Sequence, residues 1–353
     1  MAHRSRRRPT ERGYAAPFIL LGVLVCALIA YKAGGALPKI QTAFATRSIS
    51  VPADIVVPGG KASTAAVWSR TLGYLIVVGP ALVFGVLIAG AVRSCPAPTW
   101  IVRALGANPQ RRQVLAGIAG APLMLCSCCV APIFAAVQER SRQPGPSLAV
   151  ALAAPCLNPA ALALTFIVFG LRLGVARLVM ALVAVFALPP IVTRAAGVAG
   201  MHDVVEPGVQ PSAAETVRAS AVDRSDLWRV IRLSLDGALR TLPLLVLGIV
   251  ASMWLVQRVP PFQPGTNTFL AVVVTTLIAI PIALPTFFEI PIALALLGAG
   301  APPAVAAVVL FAGPAINLPS LLTIGRAATW TVAAAAAIGV AVIACTGALA
   351  LAW

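Results

Sequence analysis

Charged residues are scarce in this chain, and acidic residues are the scarcest of them. Only 10% of its 353 residues are charged, with 10 Asp and Glu against 26 Lys and Arg. A soluble domain is about a quarter charged, so this scarcity excludes an ordinary soluble enzyme and a disordered chain. Hydrophobic residues make up 60% of the sequence. The composition therefore predicts an all-α polytopic membrane protein that is surrounded by lipid.

The sequence also lacks a nucleotide-binding motif of the G-x-x-x-x-G-K-S/T type. Any transport would then draw on an ion gradient or on a partner protein. The net charge of +16 does not indicate nucleic acid, because most Arg residues stand in tails and loops beside apolar runs, where basic residues set membrane topology. We expect no nucleic-acid partner and no cofactor, and the sequence leaves open whether the chain forms a homo-oligomer.

The apolar runs form nine segments of roughly membrane-spanning length, at residues 15–31, 71–92, 114–137, 147–170, 174–193, 241–257, 268–297, 303–325 and 328–352. We interpret the first as a transmembrane helix; the alternative is a cleaved signal peptide. The organisation that we predict is a basic tail, first helix and loop (1–70), a first permease repeat (71–193), an extramembrane linker (194–236) and a second repeat (237–353).

The basic residues predict which ends of these segments are cytoplasmic. With the N-terminus inside and all nine segments spanning, the 93–112 loop, Arg172 with Arg177, Arg258 and Arg326 lie inside, which agrees with the positive-inside rule. Three residues argue the other way: Arg224, Arg229 and Arg232. The pattern predicts a multi-pass protein of a bacterial inner membrane, in which Pro-interrupted segments could re-enter rather than span.

An internal repeat relates the two halves. A shift of 159 residues aligns 122–166 with 281–325, and the matches include Pro122/Pro281, Pro132/Pro291, Pro144/Pro303, Pro155/Pro314 and Asn158/Asn317. Four segments per half predict a parallel repeat; a re-entrant segment would leave three spans per half and make the repeat inverted.

Proline and asparagine mark predicted breaks in these helices. The third segments of the halves read APCLNPA (154–160) and GPAINLP (313–319). Proline removes a backbone donor, and helices broken at matching positions of a repeat indicate a transporter's central site. We predict breaks at Pro132, Pro155, Pro291 and Pro314. Asn158 and Asn317 are candidates for binding substrate, for capping the half-helices, or for both.

Three thiols stand within four residues of the second segment. Cys126, Cys128 and Cys129 are a candidate site for Cu(I), another soft metal ion or trivalent arsenic, because thiolates prefer soft ions. On a continuous helix Cys126 and Cys129 share one face, whereas Cys128 points elsewhere unless Pro132 unwinds the turn. The C-x-x-C spacing is also a redox pattern, and a packing surface of small residues is the third interpretation.

Glu289 is the ionisable residue that the sequence places deepest in an apolar segment. A carboxylate at membrane depth is costly and by default functional. It is a candidate for carrying a coupling proton or for balancing the charge of a substrate. The alternative is a residue near the segment end that reaches interfacial water.

These motifs resemble those of the predicted permeases of the organoarsenical efflux (ArsP-like) type. That family carries C-S-C-G-x-x-P, then A-P-x-x-N-P, and a second copy ending in G-P-x-x-N-x-P; here the elements stand at 126–132, 154–159 and 313–319. The resemblance covers about 71–352 and implies an inner-membrane permease. Described members export trivalent organoarsenicals, and relatives are linked to other soft metals. Two elements depart from the pattern: Cys129 stands where the family has Gly, and Thr286-Phe287-Phe288-Glu289 stand where the family's second copy often has small polar residues.

The leading hypothesis is therefore a permease, not an enzyme, that exports a thiophilic metal or metalloid, inorganic or organic. The three cysteines would bind the ion at the interface of the repeats, and the two asparagines would shape the pocket. The rival hypothesis is a membrane thiol–disulfide oxidoreductase that uses Cys126 and Cys129. The sequence shows neither a second cysteine pair for relaying electrons nor a quinone or haem signature.

Overall fold

The computed structural model describes residues 15–46, 64–94, 108–197, 224–258, 265 and 267–351. In this part of the chain the regular structure is helical, as the composition predicted. The helices are α1 Ala15–Thr46, α2 Thr64–Ser94, α3 Pro109–Gly120, α4 Ser127–Ser141, α5 Pro144–Cys156, α6 Pro159–Phe186, α7 Leu188–Ala195, α8 Arg224–Val256, α9 Thr268–Ala279, α10 Glu289–Gly298, α11 Pro303–Ala315, α12 Leu318–Ala327 and α13 Trp330–Leu349, with a short 3-10 turn at Ala121–Leu123.

By length and composition five of these helices could cross a membrane, α1, α2, α6, α8 and α13, with α6 counted as one helix although it is divided at Gly170. The pair α11 and α12 adds a sixth candidate, bent by 41° at its break. Large apolar side chains such as Ile76, Leu171 and Leu239 are exposed on the outer faces, where lipid replaces water. The prediction of an all-α polytopic membrane protein is confirmed.

The four segments that contain the proline and asparagine motifs are each divided near the middle. The second segment of each half is interrupted between α3 and α4 and between α9 and α10. The third segment of each half is interrupted between α5 and α6, at Leu157 and Asn158, and between α11 and α12, at Ile316 and Asn317. Each division leaves backbone groups that must be satisfied inside the protein.

Helix α6 reverses direction at Gly170. The backbone there has φ 77° and ψ −173°, a conformation that glycine adopts without steric cost. Arg177 Nη1 donates to Thr165 Oγ1 at 2.6 Å across a separation of 12 residues, although a straight helix would place these residues about 18 Å apart. An added Cβ on Gly174 would overlap the Phe166 ring. The two parts of α6 are thus folded against each other and form separate segments.

The helix bounds repeat at the spacing that the sequence predicted. A shift of 159 residues places α3 on α9 and α5 on α11, and both ends of each helix coincide. The same shift places Gly170 on Thr329, at the break between α12 and α13. Each repeat therefore contains a long helix, a divided second segment, a divided third segment and a returning helix.

Helices α3 and α4 form a re-entrant hairpin. Gly145 at the start of α5 lies near Gln113 at the start of α3, and Gly120 at the end of α3 lies against Val150 further along α5. Helices α3 and α5 therefore run in the same direction. Because α4 and α5 are joined by a two-residue turn and pack side by side, α4 runs the opposite way and returns to the side where α3 began. The equivalent helices α9, α10 and α11 pack in the same pairs.

The equivalent helices α2 and α8 pack in an antiparallel arrangement. Gly90 near the end of α2 lies against Ser234 near the start of α8. Counted along each helix from that contact, the buried residues of α2 and α8 lie at matching heights only if the helices run in opposite directions. The matching pairs are then Val78 with Leu245, Tyr74 with Ile249, Thr71 with Met253 and Val67 with Val256. With one re-entrant segment per repeat, three spans remain in each half. The directions of the helices thus favour the inverted relation over the parallel one that a count of four predicted.

The re-entrant segments also change the sides on which basic residues lie. The start of α8, with Arg229 and Arg232, now shares a side with Arg93 at the end of α2. These arginines, which argued against nine spanning segments, agree with the positive-inside rule when the second segment of each half re-enters, whereas Arg172 and Arg258 then lie on the opposite side. Arg177 is not a loop residue at all, because it is 1% exposed inside the protein.

Single cysteines at four exposed helix ends will test the hairpins. We expect Asn108→Cys and Arg142→Cys, which flank the first hairpin, to react from one side of the membrane. Asn267→Cys and Ala299→Cys, which flank the second, should react from the other side. The measurement is labelling with an impermeant maleimide in right-side-out and everted vesicles, with Cys26 and Cys95 replaced by Ser. Labelling of the first two positions from opposite sides would show that the segment spans.

Candidate functional site

The three cysteines lie at the tip of the first re-entrant hairpin. Met124 has a left-handed backbone conformation with φ 50°, which turns the chain between α3 and α4. Cys126 follows as the N-cap of α4, with φ −74° and ψ 162°. Because Ser127 is the first helical residue, Cys128 and Cys129 lie in the first turn of α4. Cys126 is outside the helix, so its side chain folds back over that turn.

The sulfur atoms of these residues form one cluster. Cys126 Sγ lies 3.0 Å from Cys128 Sγ and 3.0 Å from Cys129 Sγ, and all three sulfurs lie within 4.8 Å of one another. The cysteines are free and buried. The expectation that Cys128 faces away unless Pro132 unwinds the turn is wrong. The bend lies before Cys126, and Pro132 stands inside α4.

Helix α2 closes the thiol cluster on one side. Tyr74 is 0% exposed, and its Oη lies 3.0 Å from Cys128 Sγ. Cys129 Sγ faces the Val78 carbonyl oxygen at 3.9 Å. Gly85 packs directly on the backbone carbonyl of Cys129, which brings α2 and α4 into close contact. The first turn of α4 adds the positive end of its dipole, which favours anionic sulfur.

A small cavity separates the tip of the first hairpin from the second repeat. Its wall includes Ser127 at the start of α4, Leu148 and Leu152 of α5, and Ile316 and Ser320 at the start of α12. The N-termini of α4 and α12, one from each repeat, therefore meet at this cavity. The Ser127 hydroxyl is buried and has no hydrogen-bond partner among the described residues.

The two asparagines cap the half-helices that follow the breaks. Asn158 Oδ1 accepts from the backbone N–H groups of Ala160 and Ala161 at 3.1 and 3.3 Å. Asn317 Oδ1 accepts from Ser320 N–H at 3.1 Å, and Ser320 Oγ in turn accepts from Asn317 N–H at 2.9 Å. Both Nδ2 groups are buried without a hydrogen-bond partner among the described residues. Capping therefore uses the side-chain oxygens and leaves the two Nδ2 groups without a partner among the described residues.

Glu289 begins α10 at the tip of the second hairpin and pairs with Arg177. Its Oε1 accepts from Arg177 Nη2 at 2.9 Å, and both side chains are 2% exposed. The pair joins α10 of the second repeat to α6 of the first. Glu289 Oε2 and Arg177 Nε are buried without a partner among the described residues. Glu289 does not reach interfacial water, since it is enclosed by protein.

Sequence reasoning missed Arg177 as a site residue, although the sequence contains a signal for it. The residue lies within the apolar segment 174–193, but its nearness to Arg172 led to its being counted as a basic loop residue. The buried carboxylate of Glu289 requires a partner of opposite charge. Among the basic residues of the apolar segments, Arg177 stands seven residues beyond Gly170, and only the reversal of α6 at that glycine brings it to Thr165 and Glu289.

Helix α1 lies against the tips of both hairpins. Ala36 and Ala43 of α1 share a buried apolar cluster with Met124 of the first tip and Phe287 of the second. Lys39 Nζ lies 4.9 Å from the centre of the Phe287 ring, a cation–π contact. Phe287 also has a left-handed conformation, with φ 77°.

The four prolines do not all stand at the breaks themselves. Pro155 and Pro314 lie in the last turns of α5 and α11, just before the breaks. Pro291 lies in the first turn of α10. Pro132 is wrongly assigned as a break, since α4 continues through it from Ser127 to Ser141. The left-handed turn at Met124 divides that segment instead.

Replacing Gly85 by Ala will test the contact between α2 and the thiol hairpin. The added methyl group would overlap the Cys129 carbonyl oxygen, and backbone cannot move aside as a side chain can. We expect a loss of about 1–3 kcal/mol, typical of overpacking, seen as a lower midpoint in thermal unfolding of the purified protein. Gly34→Ala in α1 is the control, because nothing lies within 4 Å of its added Cβ. Equal midpoints for the two variants would contradict the contact.

Comparisons with known proteins agree with the motifs of this site. Residues 64–196 match the ArsP-type family described as predicted permease. UPF0718 protein YraQ of Escherichia coli (strain K12) is 27% identical over 270 residues, which cover 74% of this chain and 74% of that protein. UPF0718 protein MJ0584 of Methanocaldococcus jannaschii is 29% identical over 105 residues, 29% of each chain. No solved structure matches the chain.

These matches confirm the resemblance that the motifs indicated. The matched residues contain the first hairpin, its thiols and the Asn158 break, and the likeness to YraQ extends over about three quarters of the chain. The molecule is a multi-pass membrane protein, and its residues 64–196 are similar to the predicted permease family.

Proposed function

We propose that this protein is a permease that exports a thiophilic metal or metalloid across a bacterial inner membrane. The observation that carries the proposal is the buried cluster of Cys126, Cys128 and Cys129 at the tip of a re-entrant hairpin. Re-entrant and broken segments occur at membrane depth where they line a path for solute. Thiols at such a tip can bind a soft ion at the point where the two repeats meet.

Unpaired polar groups at the tip of the first hairpin and at the two helix breaks support binding rather than packing alone. Ser127 Oγ, Asn317 Nδ2 and Asn158 Nδ2 are buried donors without protein partners among the described residues. Leaving such groups unsatisfied costs about 1–3 kcal/mol each, which a passing ligand or water would recover. In this proposal the cysteines bind the ion, and the two asparagines contribute to the pocket at the broken helices.

Transport into everted vesicles tests the permease directly. We expect methylarsenite, arsenite or Cu(I) to accumulate with the unaltered protein and not with the variant Cys126→Ser, Cys128→Ser, Cys129→Ser. The matched control is Cys156→Ser, which alters a buried cysteine outside the cluster. Lack of accumulation for all three solutes would contradict the soft-ion permease.

The same variants address the oxidoreductase. Its supporting observation is the 3.0 Å approach of Cys126 Sγ to Cys129 Sγ. An oxidoreductase would cycle this pair at a defined potential in a redox titration, whereas the permease needs only reduced thiols.

The charge pair at the second hairpin is the proposed coupling or charge-balancing element. Arg177→Met would leave Glu289 buried and unpaired, at a cost of about 3–5 kcal/mol. We expect Arg177→Met to lower the unfolding midpoint and the double variant Arg177→Met, Glu289→Gln to restore most of it. The exposed pair Asp236–Arg240 offers the control Arg240→Met, which should cost less than about 1 kcal/mol.

Transport by the double variant then separates the roles of Glu289. If the residue couples protons or balances charge, the stable double variant will not transport the solute that the unaltered protein accumulates. Normal transport by the double variant would reduce the pair to a structural contact.

A further inference from the structure

The thiol cluster holds three sulfurs, and the third decides what it can bind. Cys129 Sγ lies as close to Cys126 Sγ as Cys128 Sγ does, at 3.0 Å. Its side chain therefore lies inside the cluster, on the side that faces the Val78 carbonyl of α2. A site with Gly or Ala at this position would offer two sulfurs, and this chain offers three. Because the inference concerns the cargo of the thiol cluster, it rests on the proposed function.

The coordination that the cluster offers is three sulfurs and no fourth strong ligand. Within the described residues, no His, Asp or Glu joins the three cysteines. The next polar side-chain atom is Tyr74 Oη, which lies 3.0 Å from Cys128 Sγ. The phenol hydroxyl of Tyr74 is a hydrogen-bond partner of this sulfur. Zn²⁺ in structural sites is four-coordinate, so the cluster is a poor match for it.

The net charge of the loaded cluster discriminates further between soft ions. Three thiolates around a monovalent ion such as Cu(I) carry a net charge of −2, and around a divalent ion −1. The cysteines are at most 4% exposed, and an uncompensated charge in such surroundings is strongly unfavourable. Lys32 of α1 acts electrostatically on Cys126, but it is only partly buried. Three thiolates around a trivalent centre are neutral.

We propose that the cluster binds a fully hydroxylated trivalent metalloid, arsenite or antimonite, through all three cysteines. In the binding step three metalloid–sulfur bonds form and three metalloid–oxygen bonds break. Each thiol gives its proton to a departing hydroxide, so three waters leave and nothing is oxidised or reduced. A metalloid that carries one organic group has only two exchangeable bonds. It uses two of the thiols and gains nothing from the third.

Tyr74 and the helix N-terminus orient the cluster for this step. The contact between Tyr74 Oη and Cys128 Sγ at 3.0 Å holds this sulfur beside Cys126 Sγ. The positive end of the α4 dipole favours sulfur as it gives up its proton. Tyr74 is thus a positioning residue for Cys128.

The test compares inorganic and organic arsenic on the purified full-length protein under reducing conditions. The probes are arsenite and phenylarsine oxide, and the readouts are the affinity and the number of titratable thiols lost per bound arsenic. We expect arsenite to consume three thiols and phenylarsine oxide two. Cys129→Ala should weaken arsenite binding by more than about 100-fold, since losing an outer-shell partner of a metal already costs about 10–100-fold. Its affinity for phenylarsine oxide should stay within about 3-fold of the original, a difference below 1 kcal/mol.

Cys156→Ala is the matched control, because Cys156 is a buried cysteine outside the cluster; it should bind both compounds as the unaltered protein does. Equal arsenite affinity in Cys129→Ala and in the unaltered protein, or the loss of two thiols with arsenite, would overturn the three-thiol inference. So would the absence of arsenite binding altogether. The permease is judged separately, by accumulation in vesicles: binding through three thiols without transport would contradict the proposed function alone, and transport of Cu(I) without arsenite binding would contradict this inference alone.

Discussion

Backbone groups at a helix break inside a membrane must be satisfied by protein, and the structure depends on how four such breaks are resolved. Asn158 and Asn317 cap the half-helices after two of them. At the second hairpin, Ser252 Oγ of α8 donates to the Pro281 carbonyl at 2.5 Å and accepts from Ala283 N–H at 2.8 Å. The first hairpin differs, since the side chain of the N-cap Cys126 makes no hydrogen bond to the backbone N–H groups of the first turn of α4. No N-cap side chain therefore satisfies the backbone N–H groups at the start of α4, where the thiols lie.

The two repeats share an architecture but carry different functional groups at the tips of their hairpins. The shift of 159 residues carries Cys128 and Cys129 onto Phe287 and Phe288, so the second tip replaces two thiols by aromatic rings. It also carries Val130 onto Glu289. Each tip is closed by the other repeat: α4 packs on α12, and Glu289 pairs with Arg177 of α6. The two repeats thus present thiols at the tip of one hairpin and a carboxyl group paired with Arg177 at the tip of the other.

Much of this arrangement could be predicted from sequence. The rest depends on the direction in which each half-helix runs after a break. Hydrophobic runs, prolines and asparagines identified the segments and the places near which they divide, because these signals are local. The direction of a half-helix after a break is not local. It follows from contacts such as Gly120 against Val150, which no periodicity reports. Arg177 was missed for the same reason, since only the reversal at Gly170 brings it to Glu289. The sulfur atoms of Cys126 and Cys128 come together because of the backbone angles of Cys126, the residue just before α4.

The charge of the cargo and the charge at Glu289 have to be considered together. If the metalloid leaves the three thiols by taking up three waters again, it crosses as a neutral trihydroxide and the membrane potential does no work on it. Each elementary charge that crosses is worth about 2.3 kcal/mol per 100 mV, so a potential can drive such a permease only through another group. Glu289 at the opposite tip is the acidic residue that the described segments place at that depth. A proton carried there would make the export of a neutral metalloid sensitive to potential, whereas a permanently paired Glu289 and Arg177 would leave it dependent on concentration alone. A current that accompanies arsenite export would therefore identify Glu289 as a coupling residue, and export without a current would identify it as a charge-balancing one.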